Sequence, residues 1–269
     1  MATNLANFPD IWGGAKQRLT GAKHAPPAMV AYPAHYSANL ASILDQFNPF
    51  PPYSLVIGQC TDGLPFMLSL DNPRSGSILV VGEDEQAKVN VLTTMSTSSC
   101  RINPPEDVSW TLITRKAYQF AELANNPQCQ TVIHPQEQAA GELLIEMASI
   151  VEQRRFGRER GSLHVIMVDD YQGLLPILSD YSVYLSFKTL VSKGPGRGIW
   201  PLVSAKPGDA HTEQGQVLRA FGTYIFEKSG FGPGQNHPQG NGRGTLPIFQ
   251  PNFNVIVGGR LIPICSLSA

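Results

Sequence analysis

Five short runs of this chain, Ser77–Val81, Val108–Ile113, Leu163–Val168, Ile199–Ser204 and Thr223–Phe226, are apolar almost throughout and do not alternate. Strands that face water on one side alternate; a continuous apolar run of this length fits a strand covered on both faces, as in a mostly parallel sheet. Helical patterns lie between the runs. In 137–156, Ala140, Leu143, Leu144, Met147, Ile150 and Val151 form an i, i+3, i+4, i+7 stripe. In 172–192, Leu174, Leu175, Leu178, Tyr181, Leu185 and Leu190 predict one further helix, with Pro176 tolerable only in its first turn. Strand–helix alternation of this kind predicts an α/β fold with a doubly wound, mostly parallel sheet.

The remaining chain frames that core. Residues 1–52 read as an extended N-terminal arm with one helix over Ser37–Phe47, stopped by Asn48-Pro-Phe-Pro-Pro52. Residues 53–269 read as a single domain. It opens with a small hairpin, Tyr53–Ile57 and Leu64–Leu70, around the Asp62-Gly63 turn. Residues 229–244, dense in Gly and Pro, read as a flexible loop, and 245–269 as a terminal hairpin of Asn252–Val257 and Arg260–Ile264 joined by Gly258-Gly259.

At the end of the first apolar run stands Gly82-Glu83-Asp84-Glu85-Gln86-Ala87-Lys88-Val89. Its first Gly and its Lys keep the spacing of the phosphate-binding loop G-x-x-x-x-G-K-[ST]. In such a loop backbone N–H groups and a helix N-terminus hold phosphates, the Lys reaches the terminal ones, and the hydroxyl binds magnesium. Here the second Gly is Ala87 and the hydroxyl is Val89, which cannot ligate a metal. Glu83, Asp84 and Glu85 fill the turn. A carboxylate about 5 Å from a phosphate charge costs roughly 3 kcal/mol at an effective dielectric of about 20. The same acids at a helix start are favourable by about 0.3–1 kcal/mol each. The expectation is that one carboxylate takes the anion position and Lys88 pairs with it; an ordinary acidic helix cap is the simpler alternative.

The third run ends in Val168-Asp169-Asp170. In phosphate-loop ATPases a strand of this form places its first acid on magnesium and its second on the attacking water. Asp169 fits the first role, and Asp170 is one methylene short for the second, while a strand end with an Asp helix cap explains both residues without chemistry.

With both motifs in order, residues 53–269 resemble the FtsK/SpoIIIE-type domain of the FtsK–HerA ATPases. Gly58-Gln-Cys-Thr-Asp-Gly63-Leu-Pro65 and Leu68-Ser-Leu-Asp71 are similar to the segments that precede the loop in that family. Glu146-Met147 and Arg154-Arg155-Phe156 resemble the helix before its acid strand, and Gly196–Pro207 resembles its G-R-x-x-G-I-H-L-x-x-A-T-Q-R-P motif, with Ala205 and Lys206 on its Gln and Arg. Ala220–Lys228 resembles the strand that carries T-R-I-x-F-K. The resemblance implies a P-loop NTPase fold of the RecA/FtsK kind and ring assemblies that use ATP to move DNA or protein. Ala87, Val89, Asp170 and Ala205 depart from the pattern where nucleotide binds. In this the chain looks like the degenerate, EccC-like domains of type VII secretion, which serve as regulators or substrate docks.

Composition narrows the field. Net charge is −1 and charged residues are 15%, which disfavours nucleic acid as a partner and suits a surface facing proteins. No run approaches the ~18 apolar residues of a membrane span. Cys60, Cys100, Cys129 and Cys265 are scattered, as are the six His, so no metal site is expected and the thiols fit a cytoplasmic protein. Arg154, Arg155 and Arg158, with Arg197, are the candidate interface cations; a solvated helix end explains the first three equally. The expected function is a pseudo-ATPase that assembles with or docks protein partners, among them an active ATPase or like subunits. No cofactor is expected beyond weak Mg-ATP. The alternative is an ATP-dependent DNA or protein translocase with an atypical loop.

Overall fold

The computed structural model describes residues 39–156, 161–228 and 251–267. Ten strands form one sheet: β1 (Ser54–Cys60), β2 (Pro65–Ser69), β3 (Ile78–Val81), β4 (Val108–Ile113), β5 (Cys129–Ile133), β6 (Leu163–Val168), β7 (Ile199–Ala205), β8 (Thr223–Glu227), β9 (Phe253–Val257) and β10 (Arg260–Cys265). Their order is β2-β1-β10-β9-β8-β3-β7-β6-β4-β5. From β8 to β5 every pairing is parallel, while β9, β10, β1 and β2 add antiparallel ladders. All five apolar runs are strands of the parallel part, and both hairpins form. The sheet is thus mostly parallel and α/β, as expected, with the terminal hairpin β9–β10 joining the opening hairpin to the parallel strands.

Helices α1 (Leu40–Gln46), α2 (Glu85–Ile102), α3 (Gln138–Phe156), α4 (Tyr171–Leu178) and α5 (Tyr181–Lys193) accompany it. Two expectations change. The single helix over 172–192 is two: Pro176 lies inside α4, which ends two residues later, and Asp180 starts α5 by accepting from the Ser182 and Val183 amides at 2.7 and 3.4 Å. Strand β5 has no apolar run behind it. It is the sheet edge, with Gln130 and Val132 exposed, so only half of its side chains needed to be apolar.

Helix α2 is the centre of the core. Val91, Leu92 and Met95 pack with Ile78 and Val80 of β3 and with Leu55 and Ile57 of β1. Its buried Thr94, Ser96, Thr97, Ser98 and Ser99 are small, and Ser98 Oγ accepts the Val56 amide at 2.8 Å. On the other face of β1, Val56 meets Leu40 and Ile43 of α1. The 229–244 loop and most of the N-terminal arm lie outside the described residues.

Candidate functional site

Parallel pairing brings the C-terminal ends of four strands together. Val81 is level with Ala205 of β7 and with Phe226 of β8, and Val168 of β6 with Val203. Ligand crevices of open α/β sheets lie outside such strand ends. The loop after β3 is pinned there by the Gly82 amide, which donates to the Ala205 carbonyl at 3.3 Å.

Asp84 is the N-cap of α2, its Oδ1 accepting from Gln86 and Ala87 amides at 2.9 and 3.3 Å. The two amides before the helix, Glu83 and Asp84, both donate to one atom, Glu227 Oε2 at the end of β8, at 3.0 and 3.2 Å. A Cβ on Gly82 would come within 3.0 Å of that same oxygen, so glycine is what lets the carboxylate sit over the loop. Charge-assisted bonds are stronger than neutral ones, and solvent at this exposed turn weakens them.

Lys88 is 3% exposed and its Nζ lies 3.0 Å from Glu85 Oε1. Lys116, after β4, and Lys206, after β7, approach the same carboxylate at 3.9 and 4.0 Å. Three cations from three segments thus converge on Glu85. Val89 is buried in the core with Leu92 and Met95.

Asp169 ends β6 beside this group. Its Oδ2 accepts from Thr114 Oγ1 at 2.6 Å, the Thr114 hydroxyl accepts the Lys116 amide at 2.8 Å, and Ser204 Oγ donates to the Asp169 carbonyl. Asp169 Oδ1 is buried without a hydrogen-bond partner among the described residues. Burial pushes the carboxyl up to about 6; the Thr114 bond and Lys116 oppose the rise, while Asp170 and Glu85 add to it. Asp170 stands at the N-cap position of α4 without a capping bond and pairs with Arg115 Nη2 at 2.9 Å.

The candidate interface arginines separate. Arg154 Nη1 donates to the Arg197 carbonyl at 2.8 Å and to the Ser162 carbonyl at 3.4 Å, stapling backbone. Arg197 lies at the other end of the sheet, ahead of β7. The side chain of Arg155 and all of Arg158 fall outside the described residues. Sequence reasoning missed Glu227, Thr114, Arg115 and Lys116. The available signal was weak: each polar residue closes or follows an apolar run of the parallel sheet.

The architecture that surrounds this site is found in solved secretion and conjugation ATPases. Thermomonospora curvata EccC (ATPases 2 and 3), in complex with a signal sequence peptide, is 17% identical at a TM-score of 0.62, covering 93% of this chain and 46% of that one. EssC (ATPases 2 and 3) from Geobacillus thermodenitrificans is 14% identical at 0.63, covering 86% and 44%. The pCW3 conjugation coupling protein TcpA, a monomer form with ATPγS, is 12% identical at 0.56, covering 83% and 68%. The chain spans about half the length of the EccC and EssC chains it matches. No protein-family model and no curated protein sequence matches it. Identities this low establish the fold alone: the α/β architecture with a mostly parallel sheet that these ATPase domains share.

Proposed function

We propose that this chain is a non-catalytic FtsK/HerA-like domain, serving a larger complex as an assembly, regulatory or docking component. One observation carries the reading: the Glu227 carboxylate holds the two loop amides that an anion would need. Glu85 meanwhile holds Lys88 and stands against Lys116 and Lys206. A triphosphate would have to expel both carboxylates or lie beside them, at roughly 3 kcal/mol for each close pair of like charges. Val89 offers no ligand to magnesium, and Ala205 offers no amide side chain to a terminal phosphate. These residues do not fit a tightly held Mg-ATP and leave room for weak binding only.

A protein is then the partner the retained scaffold serves, either an active ATPase or a like subunit. The EccC structure of this fold holds a peptide, which supports the docking role. Its setting is the cytoplasm, where four free thiols persist. Titration calorimetry with Mg-ATP is the test. No binding, or binding weaker than about 100 µM, is expected; tighter binding overturns the reading.

A second reading, an ATP-dependent translocase with an atypical loop, draws on Lys88 in the first turn of α2, on Asp169 directly after β6, and on the ATPγS carried by TcpA. It requires an ATPase activity that Lys88→Ala abolishes. Purified chain that turns over no ATP, with DNA or a partner present, removes it.

A further inference from the structure

Strand β5 closes one end of the sheet and, among the described residues, has a neighbour on one side only. An open strand edge carries backbone N–H and C=O groups that pair readily with another strand, and natural edges are commonly guarded by Pro or charged side chains. The far edge is guarded: β2 opens on Pro65 and lies between Asp62 and Asp71. The β5 edge is not. No Pro stands inside the strand, and no Asp, Glu, Lys or Arg occurs from Leu123 to Gln136. Val132, near its middle, is 38% exposed.

The ladder with β4 fixes which groups face outward. Thr111 pairs with Thr131, Leu112 with Val132 and Ile113 with Ile133, and the Thr114 amide donates to the Ile133 carbonyl at 3.0 Å. Backbone groups of successive strand residues turn to opposite sides. Thr131 and Ile133 therefore bond towards β4, and Val132 turns both its N–H and its C=O away. The same alternation turns the His134 amide outward, while the His134 carbonyl accepts the Glu137 amide at 3.0 Å. Before Val132 the register slips between Trp110 and Thr111, which leaves Gln130 opposite no residue of β4, its carbonyl on the open side. The open edge thus offers an acceptor at Gln130, a donor and an acceptor at Val132, and a donor at His134. Turned about Val132, that pattern is its own complement.

We propose that β5 pairs antiparallel with β5 of a second copy of this chain, across a two-fold axis at Val132. The two Val132 residues exchange both backbone bonds, and each Gln130 carbonyl accepts the other copy's His134 amide, so every outward group is used. A two-fold axis brings like charges together, and this edge has none to repel. The two exposed valines become a cross-strand β-branched pair, a kind of contact that stabilises sheets. The pairing rests on the preceding reading only in expecting a like subunit. Nucleotide does not enter its test, so either can fail alone.

Sedimentation of the full chain from about 10 µM to about 1 mM is the first measurement, because so narrow a contact fits a dissociation constant on the order of 100 µM. Val132→Pro removes an amide that β4 does not use, a change that edge strands tolerate, and should weaken the dimer about tenfold or more. Val132→Lys sets like charges directly opposite and should weaken it likewise, which keeps the test open should the proline variant lose its urea transition. A chain that stays monomeric throughout leaves the edge to a strand of another protein and overturns the proposal. So does an undiminished dimer in variants that keep the parent's urea transition. Register is read by crosslinking. Opposed residues of a bonded pair lie about 5.5 Å apart at Cα, within disulfide reach. With diamide taking up the two electrons and two protons, Val132→Cys should link two copies about tenfold faster than Gln130→Cys, which faces the other copy's His134. Both variants carry the same four native thiols, so equal rates overturn the pairing.

Discussion

His164 and Asp169 lie at opposite ends of β6, and burial moves them in opposite directions. The His164 ring sits between Ser109 Oγ at 2.7 Å from Nδ1 and Thr111 Oγ1 at 3.0 Å from Nε2, and burial, with Arg154 nearby, pushes it down to about 4. Its stabilising contribution is complete above 6.5 and is lost as pH falls through about 4. Asp169, pushed up to about 6 from 3.8, binds more protons folded than unfolded in that interval; its contribution is complete below 3.8 and is lost as pH rises through about 6. Each contribution is on the order of a few kcal/mol. The two slopes oppose each other across one window. Urea unfolding between pH 4 and 7 should therefore show a shallow profile for the unaltered chain. Asp169→Asn should unmask a steep fall towards acid, and His164→Gln a rise; unchanged profiles in both variants would refute the burial account. At the loop, Glu227→Ala strips both amides of their acceptor and should lower stability by about 1–3 kcal/mol. That residue was out of reach of sequence reading. Glu83, Asp84, Glu85 and Lys88 stand together in the chain, but the carboxylate over them comes from 144 residues further on.

Elements were legible where burial on both faces forced an unbroken apolar run, as at β4, β6 and β7. They were not where burial was partial, as at β5, or where a local bond overrode a periodic pattern, as at Asp180. Junctions between elements follow a third logic, that of polar groups closed off from water. Asn103, 4% exposed, joins three of them. Its Oδ1 accepts the Tyr53 amide at 2.6 Å, its Nδ2 donates to the Ser54 and Ser99 carbonyls at 3.0 and 2.9 Å, and its own carbonyl accepts from Gln128 Nε2 at 2.6 Å. Tyr53 is held at φ 60°, a conformation that non-glycine residues rarely adopt. The end of α2, the entry to β1 and the approach to β5 are thus locked through one residue. Asn103→Ala leaves buried groups unpaired and should cost on the order of 3 kcal/mol. Hydrogen exchange should rise first in β1 and the last turn of α2; an unfolding midpoint within error of the parent would show that water replaces these bonds freely.

Across the whole described fold, the parallel strands and the opening hairpin are one sheet only because β10 reaches β1. That seam is short: Gln59 pairs with Cys265 and Cys60 with Ile264. Just before it the β1–β2 register shifts between Val56 and Gly58, and a Cβ on Gly58 would lie 2.5 Å from the Cys265 carbonyl oxygen. Backbone cannot yield there as a flexible side chain would, so glycine sets how closely the two strands approach. Gly58→Ala should push β10 off β1 at a cost of about 1–3 kcal/mol, the range for overpacked sites. Leu55 and Ile57 would still press on α2, so the hairpin should stay folded while its seam opens. Exchange should therefore quicken at the β1 and β10 amides and hold steady in β3, β6 and β7. Uniform loss of protection across all ten strands would instead mean that the seam and the parallel core unfold as a single cooperative unit.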